Sequence, residues 1–258
     1  MNHMSPQRSA CFHVYWLLLW GLGCMHSGLA QVQTPPIATP ATAPQSARPA
    51  ARGAVDLDAL IRVESKTIGA DGVTRTSQYE ETFMRRSEQV WTQRIRPKQA
   101  TAHHHGPDGH NGHKHLDPLE GGRLITLEEG KPQLRLISAS EKRVVSVPSV
   151  EFGNLGFDGS WERAYYLVTP AELKQFKPSS RATDVPDAQW FEKQGAVHES
   201  ILWDPKRQIP WVIESTNKQG SQWRRITVTP QKELTAVVPW SPQRVKTYDQ
   251  MLYSDFLD

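Results

Sequence analysis

The chain has 258 residues and a formal net charge of +3, from 30 Lys and Arg against 27 Asp and Glu. This near balance, without a basic block or an aromatic-basic stripe, argues against nucleic acid as a partner. Both cysteines, Cys11 and Cys24, precede residue 31. The rest of the chain therefore cannot contain a disulfide, a thiolate metal site or a cysteine nucleophile.

The first thirty residues have the pattern of a secretory signal peptide. An apolar run over residues 14–20 is too short to cross a bilayer stably, and it is followed by Ser27-Gly28-Leu29-Ala30, whose small residues suit a signal peptidase. We expect cleavage after Ala30 and a periplasmic location. The alternative is lipid attachment at Cys24, although Gly21 stands where a lipobox has leucine.

Composition divides residues 31–258 into three parts. Residues 31–53 carry five prolines among Ala, Thr and Gln and predict a disordered linker. Residues 54–240 are long enough for one domain with a real core. Residues 241–258 form an aromatic tail, predicted either to dock on the body as a helix or to bind a partner.

The body has mostly the alternation and turn spacing of antiparallel strands. The predicted strands are 61–68, 73–84, 90–95, 123–127, 133–137, 144–147, 199–203, 211–214 and 223–228. Helices are predicted over 161–167 and 169–176, the second with Thr169 as its cap and Pro170 at its first position. Residues 56–61 fit either a strand or a short opening helix.

A loop predicted over residues 97–121 holds six of the seven histidines that lie after residue 30. Imidazole is a common ligand for divalent Zn, Cu and Ni, and the intervening Gly, Pro, Asp and Asn allow a loop to fold around an ion. Asp108 could add an oxygen ligand. The spacing indicates an exchangeable site rather than a rigid catalytic centre. The candidate metal ligands are His103, His104, His105, His110, His113 and His115.

Catalytic signatures are not found in the sequence. It has no nucleophile elbow, zinc-protease helix or phosphate-cradling glycine loop. The remaining histidine, His198, begins a predicted strand and is interpreted as a structural or surface residue. We therefore expect no enzymatic activity. Seven tryptophans lie after residue 30 and are predicted mostly to fill the core, with some facing a cavity.

The stretch from Glu199 to Glu214, continued by Lys218-Gln219-Gly220 and Arg225–Val228, resembles the closing hairpins of LolA/LolB-like and RseB/MucB-like periplasmic proteins. Residues 147–152, with Tyr165-Tyr166 after them, are similar to the segment after the middle strands in RseB. The resemblance spans roughly residues 55–230. It implies an α+β, mainly antiparallel half-barrel, a curved sheet with helices over its open face and an apolar cavity. The chain is too short for the second domain of RseB, and the histidine loop is foreign to the family.

The sequence supports two functions of different classes. The first is a periplasmic, non-enzymatic protein that binds a divalent transition metal through the histidine loop, for trafficking, sensing or maturation of a partner metalloenzyme. The alternative is a carrier or sensor of lipid or lipoprotein, with an acyl chain or envelope protein at the cavity and the loop incidental.

Overall fold

The computed structural model describes residues 55–96 and 121–257. They form one open sheet of twelve strands, in the order β12-β6-β5-β4-β3-β2-β1-β11-β10-β9-β8-β7. The strands are β1 Leu57–Ile68, β2 Thr74–Arg86, β3 Gln89–Ile95, β4 Gly122–Glu128, β5 Lys131–Ser138, β6 Arg143–Val147, β7 Lys177–Pro178, β8 Gln189–Lys193, β9 Val197–Asp204, β10 Ile209–Asn217, β11 Gln222–Pro230 and β12 Asp249–Leu252. The helices are α1 Trp161–Tyr166, α2 Pro170–Leu173, α3 Pro242–Val245 and α4 Tyr253–Leu257.

The sheet is built from two antiparallel arms that meet at β1. One arm runs from β1 through consecutive hairpins to β6, and the other runs back from β11 to β7. β1 pairs with β2 on one side and with β11 on the other. Only β12 departs from this pattern, because it lies parallel to β6. The predicted fold class, an α+β half-barrel of mainly antiparallel strands, is confirmed.

We call one side of the sheet the inner face and the segment over it, residues 148–176, the inner cover. Leu57, Ala59, Ile61 and Val63 alternate along β1 onto this face. They pack with Tyr165 of α1, whose ring contacts the apolar side chains of the neighbouring strands. The inner cover begins with two short 3-10 helices, Ser149–Glu151 and Gly153–Leu155, and continues into α1 and α2.

Side-chain caps fix the two helices of the inner cover. Ser160 Oγ accepts a hydrogen bond from the backbone N–H of Arg163 at 3.2 Å. Thr169 and Glu172 form a reciprocal capping box at the start of α2. The predicted helix over 169–176 is nevertheless wrong in length, because α2 ends at Leu173. Lys177 precedes Pro178 and is extended in β7, which is the conformation that a following proline favours.

The outer face carries two separate covers. The outer strap, residues 179–188, lies over Trp190, Leu202 and Val212. Residues 231–248, the C-terminal cover, bring Trp240 onto Trp91 with their ring centroids 5.6 Å apart.

The Trp240 indole donates from Nε1 to Gln89 Oε1 at 2.8 Å. The Trp91 indole also lies against the backbone of Gly122, where an added Cβ would be 1.8 Å from Cζ2. β4 can therefore begin only with glycine at this position.

Two neighbouring arginines at the end of β2 hold one cover on each face of the sheet, the inner cover and the C-terminal cover. Arg85 is fully buried and donates to the backbone carbonyls of Val55, Tyr165, Arg207 and Gln208. Arg86 points to the other face and forms an ion pair of 2.6 Å with the buried Asp58. Asp58 in turn accepts from the backbone N–H of Thr235 at 2.6 Å, which attaches the C-terminal cover to β1.

The predicted strands are all present, most of them longer at one or both ends than the sequence indicated. Residues 57–61 belong to β1, so the alternative of an opening helix is wrong. The sequence did not predict β7, β8 or β12. Within the described residues, no helix has the length and apolar character needed to cross a membrane.

Candidate functional site

The inner face changes from apolar to polar where the inner cover ends. Six register partners across six strands form an apolar row: Tyr79, Val63, Ile226, Ile213, Ile201 and Phe191. The next inward-facing row is polar and charged: Ser77, Ser65, Arg224, Ser215, Glu199 and Lys193. Five strand spacings make these rows about 24 Å long. We call this boundary, with Arg94 beside Tyr79, the inner shelf.

The apolar row is only partly closed by the inner cover. Val63, Ile226 and Ile201 are buried, whereas Tyr79, Ile213 and Phe191 are half-buried. The cover approaches the shelf at two points. Arg123 donates to the carbonyl of Leu155 at 3.1 Å, and Lys193 Nζ lies 5.6 Å from the centre of the Phe176 ring. Half-buried apolar side chains thus lie directly beside charged ones.

Cations predominate around Tyr79. The Arg94 guanidinium lies 4.0 Å from the centre of the Tyr79 ring. Burial raises the pKa of Tyr79, and the charge of Glu81 raises it further, while Arg224, Arg94 and Arg123 act in the opposite direction. Three arginines against one carboxylate make this end of the inner shelf a place where an anionic group would be stabilised.

The six histidines predicted as metal ligands, His103, His104, His105, His110, His113 and His115, lie outside the described residues, as does Asp108. The structure fixes only the ends of their segment. β3 and β4 are antiparallel neighbours, so Ile95 and Gly122 lie at the same end of their strand pair. That end is the one that carries Arg94. Across residues 55–96 and 121–257, no group of three or more His, Asp or Glu side chains could hold a metal ion.

His198 lies on the outer face of β9, with Nε2 at 3.2 Å from Ser200 Oγ. Ser200 is buried, and the Nδ1 atom of His198 has no hydrogen-bond partner among the described residues. A catalytic triad needs a carboxylate that orients the imidazole through this second nitrogen. The pair as it stands is not such a triad.

The tryptophans divide between the two faces. Trp203 packs in the apolar cluster under α2, and Trp161 bridges two inner clusters. Trp91, Trp190 and Trp240 are buried on the outer face. Neither Arg94 nor Arg224 was predicted as a site residue. Period-two alternation in β11 was the available signal, because it places Arg224 inward and Arg225 outward.

No protein-family model matches the chain, and no curated protein sequence matches it either. Several solved structures are similar at low identity. A domain assigned to outer membrane lipoprotein sorting from Vibrio parahaemolyticus matches 73% of this chain and 91% of its own length, with 13% identity and a TM-score of 0.30. MucB, in the MucA/MucB complex of Pseudomonas aeruginosa, matches 72% of this chain with 11% identity and a TM-score of 0.34.

PNGF-II has a TM-score of 0.37 at 8% identity over 77% of this chain. The chain spans about a third of PNGF-II and about half of MucB, with 33% and 55% of their lengths covered. The similar structures include a lipoprotein-sorting domain and MucB, the two kinds of protein that the sequence resembles.

Proposed function

We propose that the chain is a non-enzymatic, exported protein that binds an acyl ligand with an anionic head group along the inner shelf. The observation that supports this is the pairing of a half-buried apolar row with a cationic edge. Tyr79, Ile213 and Phe191 offer apolar contact, and Arg94 and Arg224 lie at the polar border. A ligand with an apolar chain and a negative head matches both halves of this surface.

The two halves of this surface contribute differently to binding. Covering the half-buried side chains removes apolar area from water, at roughly 25 cal/mol per Å². The arginine side chains contribute less per contact because water screens them, and exposed ion pairs are worth about 0.2–1 kcal/mol. The apolar row therefore supplies most of the affinity, and the arginines orient the head group.

The test is titration of the mature chain with lysophosphatidylglycerol below its micellar concentration, monitored by calorimetry and intrinsic tryptophan fluorescence. Arg224→Gln should weaken binding by about fivefold, the loss of one screened charge pair. Arg225→Gln is the matched control, because the neighbouring side chain lies on the opposite face of the same strand. Its affinity should stay within twofold of the wild type.

Two results would refute the acyl-binding proposal. One is a wild-type chain that takes up no lysophospholipid. The other is equal weakening by both substitutions, which would place the lipid away from the inner face. An uncharged monoacylglycerol should bind more weakly than the lysophosphatidylglycerol if the head group is recognised.

A second candidate function is the binding of divalent Zn, Cu or Ni by His103, His104, His105, His110, His113 and His115. The density of imidazoles in residues 103–115 favours it. The described strands on either side of this segment, β3 and β4, are antiparallel neighbours, and β3 carries Arg94 of the inner shelf near its end. Metal delivery to a periplasmic metalloenzyme belongs to the same proposal.

Calorimetry of the untagged chain with each metal salt tests the second candidate. Replacing the six histidines with asparagine should abolish the heat of binding, while the unfolding midpoint of the metal-free chain stays unchanged. Uptake that survives the replacement would place the metal elsewhere. The periplasmic location is proposed on the signal-like residues 1–30 and is tested by fractionating cells that express the full chain.

A further inference from the structure

A groove of about 400 Å³ lies on the outer face, away from the inner shelf. One wall is the outer strap, from Arg181 to Val185, and the floor is formed by β9, β10 and β11. The volume is within the usual range of small-ligand sites. The floor includes the apolar side chains of Leu202 and Val212, with Trp190 and Trp211 beside them.

The two arginines of this groove are held in fixed positions by Glu214, which lies outside its lining. One carboxylate oxygen of Glu214 accepts a hydrogen bond of 2.7 Å from Arg181 Nη1, and the other forms an ion pair with Arg225 Nη1 at 3.2 Å. The guanidinium of Arg181 also stacks on the Trp190 ring, 3.7 Å from its centroid. Within residues 55–96 and 121–257, the other guanidinium N–H groups of Arg181 and Arg225 have no protein acceptor. Each guanidinium therefore keeps donors for a ligand.

The charges balance across the groove. Arg181, Arg225 and Asp184 line it, and Glu214, which does not line it, forms ion pairs with both arginines, so these four groups have no net charge. Thr227 and Thr229 alternate along β11 and face the groove from one side of the strand. Their hydroxyls make no hydrogen bond to another described residue. Hydroxyls, fixed ion pairs and indole rings together suit a neutral ligand that has many hydroxyl groups and apolar ring faces.

We propose that this groove binds a short neutral saccharide. Sugar hydroxyls both donate and accept, so they can use the free guanidinium N–H groups and the two threonine hydroxyls together. The C–H faces of the sugar ring pack on Trp211 and Val212. The site is separate from the inner shelf, because Arg224 and Arg225 point to opposite faces of β11.

The experiment is calorimetric titration of the full mature chain with maltotriose, cellotriose and chitotriose, and with trigalacturonic acid as an anionic comparison. At least one neutral trisaccharide should bind, and more tightly than the acid. The double substitution Thr227→Val with Thr229→Val should weaken its binding by about tenfold, the loss of two hydrogen bonds. Thr216→Val is the matched control, since Thr216 lies on the outer face of β10 and does not line the groove.

Arg225→Gln should also weaken saccharide binding, by about fivefold, while Arg224→Gln leaves it within twofold. Failure of all three neutral sugars to bind overturns the proposal. So does tighter binding of the acid, or neutral-sugar binding that the double threonine substitution leaves intact. The lipid titration uses the same two arginine variants, but there Arg224→Gln should weaken binding and Arg225→Gln should not. Each proposal can therefore fail while the other holds.

Discussion

The two covers nearest to β2 are attached by adjacent residues in chemically different ways. On the inner face, Arg85 is buried completely, and none of its hydrogen-bond acceptors among the described residues is a carboxylate. On the outer face, Arg86 is balanced by Asp58. A buried cation held only by carbonyl dipoles and by the Tyr165 ring, 4.3 Å away, has a large desolvation cost. Burial accordingly lowers the pKa of Arg85.

The difference shows what each attachment contributes. Arg85 joins three parts of the chain, since its acceptors belong to the start of the domain, to α1 and to the β9–β10 turn. Asp58 with Arg86 joins only β1 and β2 to the C-terminal cover. The inner attachment should therefore affect the whole domain when it is broken, and the outer one mainly its own segment.

Arg85→Met should have the largest effect, a loss of about 4 kcal/mol in the free energy of unfolding, because four carbonyl acceptors lose their donor. Urea denaturation monitored by circular dichroism measures it. Arg85→Lys keeps the charge and up to three donors and should recover about half of the loss. If Arg85→Met were as stable as the wild type, the prediction would be wrong, and water would have to donate to the four carbonyls in place of the guanidinium.

Asp58→Asn should cost about 3 kcal/mol, because Arg86 then stays largely buried without a counterion. Hydrogen exchange should rise in residues 231–240 more than in α1, which distinguishes the outer attachment from the inner one. Asp56→Asn is the control. Asp56 is exposed and, among the described residues, accepts only from the Ser87 N–H at 3.3 Å, so its replacement should change stability by less than about 0.5 kcal/mol.

Asp204→Asn should cost about 2 kcal/mol at pH 7, and the deficit should shrink on acidification. Burial raises the pKa of Asp204, but hydrogen bonds from the N–H and guanidinium of Arg207, from the Trp211 indole and from the Lys206 N–H outweigh it, so the pKa is lowered. Its stabilising contribution is complete above the unfolded value near 3.9.

That contribution of Asp204 is lost as pH falls through the lower folded pKa. Urea midpoints of wild type and Asp204→Asn between pH 7 and pH 2 measure how the stability difference between them shrinks. A difference that stays constant over this range would contradict the prediction. Asp58 and Glu172 also have lowered pKa values and add to the acid sensitivity of the wild type.

Gln89→Met should have the smallest effect, about 1 kcal/mol, from the loss of the acceptor for the Trp240 indole N–H. The stacking of Trp240 on Trp91 should persist, so the near-ultraviolet circular dichroism of the tryptophans should be retained. Loss of that signal would show that the hydrogen bond, rather than ring packing, holds the C-terminal cover in place.

The hairpins were predictable because their information is local. Alternating side chains and turn residues lie within about ten positions of each other, as in β9 and β10, and the turn between them is organised by Asp204 itself. β7 and β12 carry no such pattern. β7 has two residues, and β12 is recruited by pairing with β6, which lies about a hundred residues earlier in the chain.

The candidate site was less predictable because it depends on contacts between distant parts of the chain. An arginine in a strand looks like a solvated residue until the register of distant strands is known. Arg224 becomes part of the polar row of the inner shelf only through the pairing of β1 with β11. Trp240, between Pro239 and Pro242, had no periodicity to place it, and its position depends on Trp91 and Gln89. The histidines were conspicuous by composition, yet their role stays a prediction.

The junction of β1 with β11 has a consequence for folding kinetics. Ala59 is register partner to Pro230, so the two arms join only when residues from nearly opposite ends of the described chain meet. Loop-closure entropy makes such a pairing slow, while the hairpins within each arm form quickly. Refolding should therefore show two half-sheets that assemble early and a later, rate-limiting zipping between them. During that interval both unpaired strand edges are open to aggregation.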